Sequence, residues 1–251
     1  MNTRLVIYPE VESTQDVAKR LALAGEPEGT AVMALKQTSG RGRSGHTWVS
    51  PEGKNLAISL ILRPAVPPAD AALLGLLASI AVAETVEALG ARPAELKWPN
   101  DVLVRDKKIA GILPEASISA TKVDFVIIGV GLNVNTEERD FPNEFRGQAT
   151  SVFLQTGKRA DLEDAAQILL QKSAALYARI GVEGCGFIAG LWRSRWAHAG
   201  ARIIVQGTMG VAAGIAPDGA LMLETPDGGL TRITSGEVFP KPTSRFADCR
   251  N

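Results

Sequence analysis

The sequence predicts an α+β fold followed by a small β-barrel, on three observations. Strand-like runs between Arg4 and Arg195 sit at hairpin spacing, without the regular strand–helix alternation of a parallel sheet. Two long helical patterns interrupt them, one so apolar that it belongs in a core. Beyond Gly200 the chain turns to short β-type runs with a turn signal roughly every ten residues. The boundary falls near residues 197–200, giving a main domain over 1–198 and a small barrel with its tail over 199–251. Length agrees, since 251 residues against about 150 per domain suit one large domain or one large and one small.

Arg4-Leu5-Val6-Ile7-Tyr8 is rich in β-branched and aromatic residues and reads as a strand that stops at Pro9. Ser13-Thr14-Gln15-Asp16 opens a helix, with Ser13 or Thr14 as N-cap and Val17, Leu21 and Ala24 on one face before Gly25. Residues 30–35 read as a buried strand that feeds a polar, glycine-rich loop over 37–47. Trp48 and the apolar strand Leu56–Leu62 follow. Pro64, Pro67 and Pro68 break the chain, and over 70–89 Leu73, Leu74, Leu77, Ile80 and Ala81 repeat at helical spacing. Strands are predicted over 95–98, 101–104 and 109–113, the last two joined by a charged turn, and over 122–128. Leu162, Leu169, Leu176 and Ile180 mark one face of a helix, and 187–196 a shorter one. In the last part, 202–205, 220–224 and 230–233 are the β runs, with Asp218-Gly219 and Asp227-Gly228-Gly229 as turns.

Composition narrows the function. Lysine plus arginine and aspartate plus glutamate both number 27, so no global field draws the protein to nucleic acid or to an anionic membrane. Any anion chemistry must come from a local cluster. The longest uncharged apolar stretch, 71–83, falls short of the roughly 18 residues that cross a bilayer. The start, Met1-Asn2-Thr3-Arg4-Leu5, lacks the apolar segment of a secretory signal, so a cytoplasmic protein is expected. Cys185 and Cys249 are far apart, the second in a polar tail, and reduced thiols are expected rather than a disulfide. His46 and His198 are the only histidines, too few for a zinc cluster or a histidine-based triad.

Three segments carry chemistry. In Gly40-Arg41-Gly42-Arg43-Ser44-Gly45-His46-Thr47-Trp48, glycines let backbone N–H groups approach a ligand, while Arg41 and Arg43 offer planar forks for carboxylate or phosphate. As a bare pattern it reads equally as a solvated basic loop. Lys97-Trp98-Pro99-Asn100-Asp101 ends a strand at a kink and presents polar groups around it, although a plain turn needs the same residues. If Asp101 and Lys108 begin neighbouring hairpin strands, their side chains meet in one cleft; otherwise Lys108 points into water beside Lys107. In Gly129-Val130-Gly131-Leu132-Asn133 the alternating glycines permit close packing of a ligand, or mark a bulge.

Together and in this order, Ser13-Thr14-Gln15, Gln37-Thr38, the 40–48 loop, 97–101, 108–113 with Glu115, 129–133, Asp218-Gly219-Ala220-Leu221 and Ser235-Gly236-Glu237-Val238 resemble the biotin protein ligases over nearly the whole chain. The resemblance implies a mixed-sheet catalytic domain of the class II synthetase type and an SH3-like terminal barrel. It implies ATP and biotin as substrates with Mg2+, biotinyl-5′-AMP as intermediate, and a lysine of a biotin carboxyl carrier protein as acceptor. Matching positions make Lys108, Arg43 and Asp101 the catalytic set, with Asp101 at the metal or accepting the amine's proton. Ser13, Thr14, Gln15, Gln37, Gly40, Arg41, Gly42, Arg43, Lys108 and Gly111 match biotin-binding positions. Arg43, Trp48, Asn100, Lys108 and Asn133 match nucleotide-binding ones. A mixed anhydride hydrolyses in open water, so the 40–48 loop is expected to be mobile when empty and to fold over the ligand.

His46 stands where arginine or asparagine is frequent in the family. No helix-turn-helix segment precedes Arg4, so no repressor role is expected and no nucleic-acid partner. Two other readings share some of these features: a lipoate or octanoate ligase or transferase of the same fold, and a biotin-responsive regulator without turnover. A sheet edge is available for a homodimer.

Overall fold

Period-two alternation and β-branched residues make strands here, and those strands assemble into two sheets. A computed structural model describes residues 1–240. The order is β1 (Arg4–Val11), α1 (Thr14–Leu23), β2 (Thr30–Gln37), β3 (Leu56–Leu62), α2 (Leu73–Ala88), β4 (Glu95–Lys97), β5 (Asp101–Val104), β6 (Lys107–Ile118), β7 (Val123–Leu132), α3 (Val152–Thr156), α4 (Leu162–Glu183) and α5 (Phe187–Arg193). Then come β8 (Arg202–Val205), β9 (Thr208–Ile215), β10 (Leu221–Glu224), β11 (Leu230–Ile233) and β12 (Val238–Pro240). The first seven strands form one mixed sheet, β1-β2-β3-β7-β6-β5-β4, and the last five an antiparallel sheet, β11-β10-β9-β8-β12. Cys249 lies outside the described residues, and Cys185 is a buried free thiol.

The expected α+β class holds, with one difference in the first strands. β1 and β2 are parallel and joined across α1, while every other neighbouring pair is antiparallel. A single crossover leaves no repeating alternation for the sequence to display. β1 also runs through Pro9 rather than stopping there. It lies at the sheet edge, and Tyr8 and Glu10 on either side of the proline still pair with Ala34 and Lys36. An edge strand can omit one N–H without leaving a central ladder unpaired. On α1 the buried apolar residues are Val17, Ala18 and Ala22, whereas Ala24 is the exposed C-cap. Ser13 occupies the N-cap, but its side chain makes no capping hydrogen bond.

The core fills one face of the large sheet. α2 is buried on nearly all sides because it lies between that face and the helices α4 and α5. By length and composition residues 68–88 could cross a membrane, yet 78% of its most apolar window is buried inside the protein. Such a helix is a core element. Ser79 ties it to α5: its Oγ donates to the carbonyl of Leu76 (2.7 Å) and accepts from Trp192 Nε1 (2.9 Å).

The small sheet docks on the same core, since Ile203, Leu221 and Leu223 join the apolar cluster that holds α2. Trp98 Nε1 donates to the carbonyl of Gly219 at 3.0 Å. That glycine has φ +90°, and a Cβ there would stand 3.1 Å from Leu76, so the Asp218-Gly219 turn rests directly on α2. Ser79→Ala should leave the fully buried Trp192 indole N–H without an acceptor and lower stability by about 1–3 kcal/mol, measured by denaturant unfolding. An unchanged midpoint would show that this bond adds nothing.

Candidate active site

The second face of the large sheet is only half covered. Towards one end, Ile61, Phe125 and Ile127 pack under Val17, Ala18 and Ala22 of α1. Further along the same strands the side chains become small. Ala57 and Ser59 of β3 pair with Gly131 and Gly129 of β7, and Gly111 of β6 pairs with Gly131 from the other side. The result is a trough floored by backbone. A Cβ on Gly129 would lie 2.5 Å from Gln15 Oε1, and one on Gly131 would fall within the Trp48 indole. The spacing of the glycines is therefore explained by close approach, not by a bulge.

One end of the trough is neutral and hydrogen-bonded. Gln15 Nε2 donates to the carbonyl of Leu113 (3.1 Å), and Ser59 Oγ donates to Gln15 Oε1 (3.0 Å). The Thr14 and Ser59 hydroxyls lie 2.9 Å apart, and Thr14 Oγ1 also donates to Gln37 Oε1 at 3.1 Å. Thr14 N–H donates to Gln37 Oε1 (2.8 Å), and a Cβ on Gly40 would come within 3.0 Å of Gln37 Nε2. Ser13, Thr14, Gln15 and Ser59 are all buried. Thus Thr14, Gln15, Gln37 and Gly40 come together, with buried Ser13 next to Thr14 in the chain. Ser59 was missed; its signal was a lone hydroxyl in the apolar run Leu56–Leu62.

The other end is cationic, and a β-bulge makes it so. Asp101 pairs with Gly111 and Val102 with Ala110, but Leu103 pairs with Lys108, leaving Ile109 as the extra residue. Without the bulge, Lys108 and Gly111, three apart, would face opposite sides of the sheet. With it, Ile109 enters the core and the Lys108 ammonium turns to the trough. Lys108 Nζ lies 2.6 Å from Asp101 Oδ1, a close ion pair off the line of a directed hydrogen bond, and 5.7 Å from the centre of the Trp48 ring. The two residues do share a cleft.

Arg43 completes this end. Its Nη1 donates to Asn100 Oδ1 (3.2 Å) and to the carbonyl of Gly236 (3.4 Å), which brings the small sheet to the site. Burial pushes the Arg43 guanidinium below its usual range, and the negative charges of Asp101 and Glu237 oppose that. The loop carrying it is closed on itself: Trp48 N–H donates to Gly40 O (2.9 Å), Gly42 N–H to His46 O (2.7 Å), and Arg41 bridges Thr47. Among the described residues the buried Trp48 indole N–H has no partner.

Two expected residues are engaged elsewhere. The Arg41 guanidinium sits 2.7 Å from Asp16 and 3.3 Å from Glu115. Asn133 donates to Thr150 O (3.0 Å) and accepts from Asn55 Nδ2 (3.2 Å), inside a buried network. Thr150 N–H in turn donates to Lys108 O, and Lys108 N–H to Gln148 O, both at 2.9 Å. Asn133 and the unforeseen Asn55 therefore hold the backbone that holds Lys108. Among the described residues no group of three or more His, Cys, Asp or Glu side chains could hold a metal. Asp101 offers a single carboxylate, already beside Lys108, which does not make a protein-held magnesium site.

A trough with a neutral end and a cationic end has the shape and charge to take a ligand with an uncharged polar head and an acid group. The chain belongs to the Biotin/lipoate A/B protein ligase family, whose profile matches residues 8–133, and the Biotin protein ligase C terminal domain matches 202–239. It is 38% identical to the bifunctional ligase/repressor BirA of Bacillus spizizenii over 95% of this chain and 74% of that protein. It is 36% identical to the biotin–[acetyl-CoA-carboxylase] ligase of Paracoccus denitrificans, covering 88% of this chain and 95% of the other. Among solved structures, the biotin protein ligase from Aquifex aeolicus in complex with biotin and ATP superposes with a TM-score of 0.81 at 32% identity, over 95% of this chain and 98% of that one.

Gly131→Ala should expel the Trp48 indole from the trough. The Trp48 emission, isolated by subtracting the spectrum of a Trp48→Phe variant, should shift to longer wavelength. An unshifted spectrum would mean that the ring does not rest on Gly131.

Proposed function

We propose that this chain joins biotin to AMP at the expense of ATP and then passes the biotinyl group to a lysine of a carboxyl carrier domain. The observation that carries the residue assignment is the bulge that sets Lys108 against Asp101 at the end of a trough whose far end is neutral. A ureido ring needs uncharged donors and acceptors, and Ser13, Thr14, Gln37 and the backbone at Gly40 supply them. Gln15 and Ser59 support Thr14 from beneath. The carboxylate at the other end of the vitamin then lies near Lys108 and Arg43.

In the first step a carboxylate oxygen attacks the α-phosphorus and pyrophosphate departs with the electron pair of the broken P–O bond. Two anions must be brought together, and the cations Lys108 and Arg43 screen their approach and the charge that develops. The nucleotide rests by Trp48 and Asn100 in this reading, with Asn133 positioning Lys108 rather than touching adenine. Asp101 is the carboxylate that would help hold a Mg2+ brought in on the substrate phosphates, where the ion would supply further charge neutralisation. In the second step the carrier amine attacks the acyl carbon and AMP leaves. Asp101 beside Lys108 is placed to take the amine's proton. Loop 40–48 and Trp48 cover the mixed anhydride against water. A cytoplasmic location belongs to the same proposal, since ATP and the carrier are met there.

The division of the chain at 198/199 is supported by backbone pairing. Leu96 bonds to Arg195 and Ala197, while Gly200 and Ala201 bond to Ala212.

Incubation with ATP, Mg2+, a carrier domain and either biotin or lipoate tests the activity. Label on the carrier with biotin alone is expected; label with lipoate alone, or none, overturns the reading. Lys108→Ala should slow biotin-dependent pyrophosphate exchange by about 10²–10³, as for loss of one electrostatic stabiliser. Asp101→Asn should keep the fold, seen as an unchanged unfolding midpoint, and impair adenylation or transfer. Wild-type rates in both steps would remove Asp101 from the catalytic set.

A further inference from the structure

A β-bulge is held poorly by its own ladder, because the extra residue goes unpaired and the strand bends there. The Lys108–Ile109 backbone is held instead from outside the strand. Ile109 O accepts from Asn133 N–H, Lys108 O accepts from Thr150 N–H, and Lys108 N–H donates to Gln148 O, each at 2.9 Å. Asn133, Gln148 and Thr150 all lie past the end of β7 at Leu132. Whatever fixes the 133–150 segment therefore fixes the direction of the Lys108 ammonium.

Asn55 fixes it. The ladder between β3 and β7 ends at Leu56 opposite Leu132, and the Asn55 side chain takes over where that ladder stops. Its Oδ1 accepts from Val134 N–H (3.2 Å) and Thr136 Oγ1 (2.5 Å), while its Nδ2 donates to Asn133 Oδ1 (3.2 Å). Asn133 Nδ2 passes the link on to the Thr150 carbonyl at 3.0 Å. The far side of the segment is tied to the start of α3, since Val152 N–H donates to Asn133 O and Ser151 Oγ to Thr136 O. Only a carboxamide donates at one atom and accepts at the other, and asparagine is the shorter of the two. Asn55 is 1% exposed. With its oxygen and nitrogen both engaged, it is not placed to touch a substrate.

We propose that Asn55 is a positioning residue for adenylation, acting through Lys108, a role that rests on the adenylation reading above. It pins the 133–150 segment, and that segment holds the bulge in the one register that turns the ammonium to the trough. When the carboxylate oxygen bonds to the α-phosphorus and pyrophosphate leaves with the electron pair, Lys108 must already stand beside both anions. A displacement of about 1 Å at such a group can cost up to about 100-fold in rate.

A comparison of single and double variants tests this. Asn55→Ser keeps an oxygen but loses the amide that links to Asn133, and it should slow biotin-dependent pyrophosphate exchange by about 10- to 100-fold. In a Lys108→Ala background the same substitution should change the remaining rate by less than about two-fold, because its effect passes through that lysine. Amide hydrogen exchange of the ligand-free chain, followed by NMR, should speed up at Lys108 and Thr150 and hold steady along the β3–β7 ladder. An equal fold-loss in both backgrounds would overturn the proposal, since Asn55 would then act without Lys108. So would wild-type rates in Asn55→Ser, or faster amide exchange throughout the β3–β7 ladder, which marks general loosening. Should Asn55→Ser fail to fold, Asn55→Asp carries the same comparison, because it matches the shape and keeps the acceptor oxygen but sets a carboxylate against Asn133 Oδ1. Failure of the wild type to exchange pyrophosphate would remove the adenylation reading and leave the amide-exchange result standing.

Discussion

Backbone exposed on one half of a sheet face is the constraint on which this structure depends. A seven-stranded sheet with a helical layer on one side would ordinarily bury its other side under side chains too. Here α1 covers only the part over Ile61, Phe125 and Ile127, and the neighbouring positions are Ala57, Ser59, Gly129, Gly131 and Gly111. Glycine inside a strand costs about 0.5–1 kcal/mol relative to alanine, and three of them lie together in the two strands that hold the middle of the sheet. Long ladders on both sides and the α2 layer behind offset that cost. What the glycines permit is close approach: Gln15 from one end, Trp48 from the other, and the trough between them.

The charges follow from the same surface. Lys108 and Asp101 form a pair that is part-exposed on the lysine side, 39% against 12%, and such pairs contribute little to stability. Its value is geometric. The bulge at Ile109 aims the ammonium, and a buried chain of bonds fixes the strand that bears it: Asn55 to Asn133, Asn133 to Thr150, Thr150 to the Lys108 carbonyl. Asn55 also accepts from Val134 N–H and Thr136 Oγ1, so both its amide nitrogen and its amide oxygen are engaged. A polar network with every member satisfied is rigid, which suits a cation that must be in place before its anions arrive.

Much of this was legible in the chain because it is local. Leu56–Leu62 and Asp101–Val104 form strands at the expected bounds, since an apolar or β-branched run is read directly from order. The cleft between Asp101 and Lys108 was visible as hairpin spacing. Its cause, the one-residue bulge, was not, because nothing in Lys107-Lys108-Ile109-Ala110-Gly111 says which residue goes unpaired. Asn133 is the complementary case. Its position in the order of motifs suggested a nucleotide contact, yet its amide is spent on Thr150 and Asn55, partners 17 and 78 residues away. Ser59 and Asn55 were overlooked for the same reason: a polar residue beside an apolar run gains its meaning only from a distant strand. β9 was lost among glycines, Gly210 and Gly214, one of which lets the strand pass close to Glu224.

The small sheet stands in this scheme as part of the site. A chain with no net charge can handle a polyanion only by concentrating cations locally, and like charges brought together repel unless each is anchored separately. Lys108 is anchored by β6, and Arg43 by a loop that closes on itself and by Asn100. Arg43 touches the C-terminal sheet through Gly236 O. Trp98, between Lys97 and Asn100, is pinned to the Gly219 carbonyl by its indole N–H. Detaching that sheet would therefore free Arg43 from one side while leaving Lys108 and the neutral end of the trough intact.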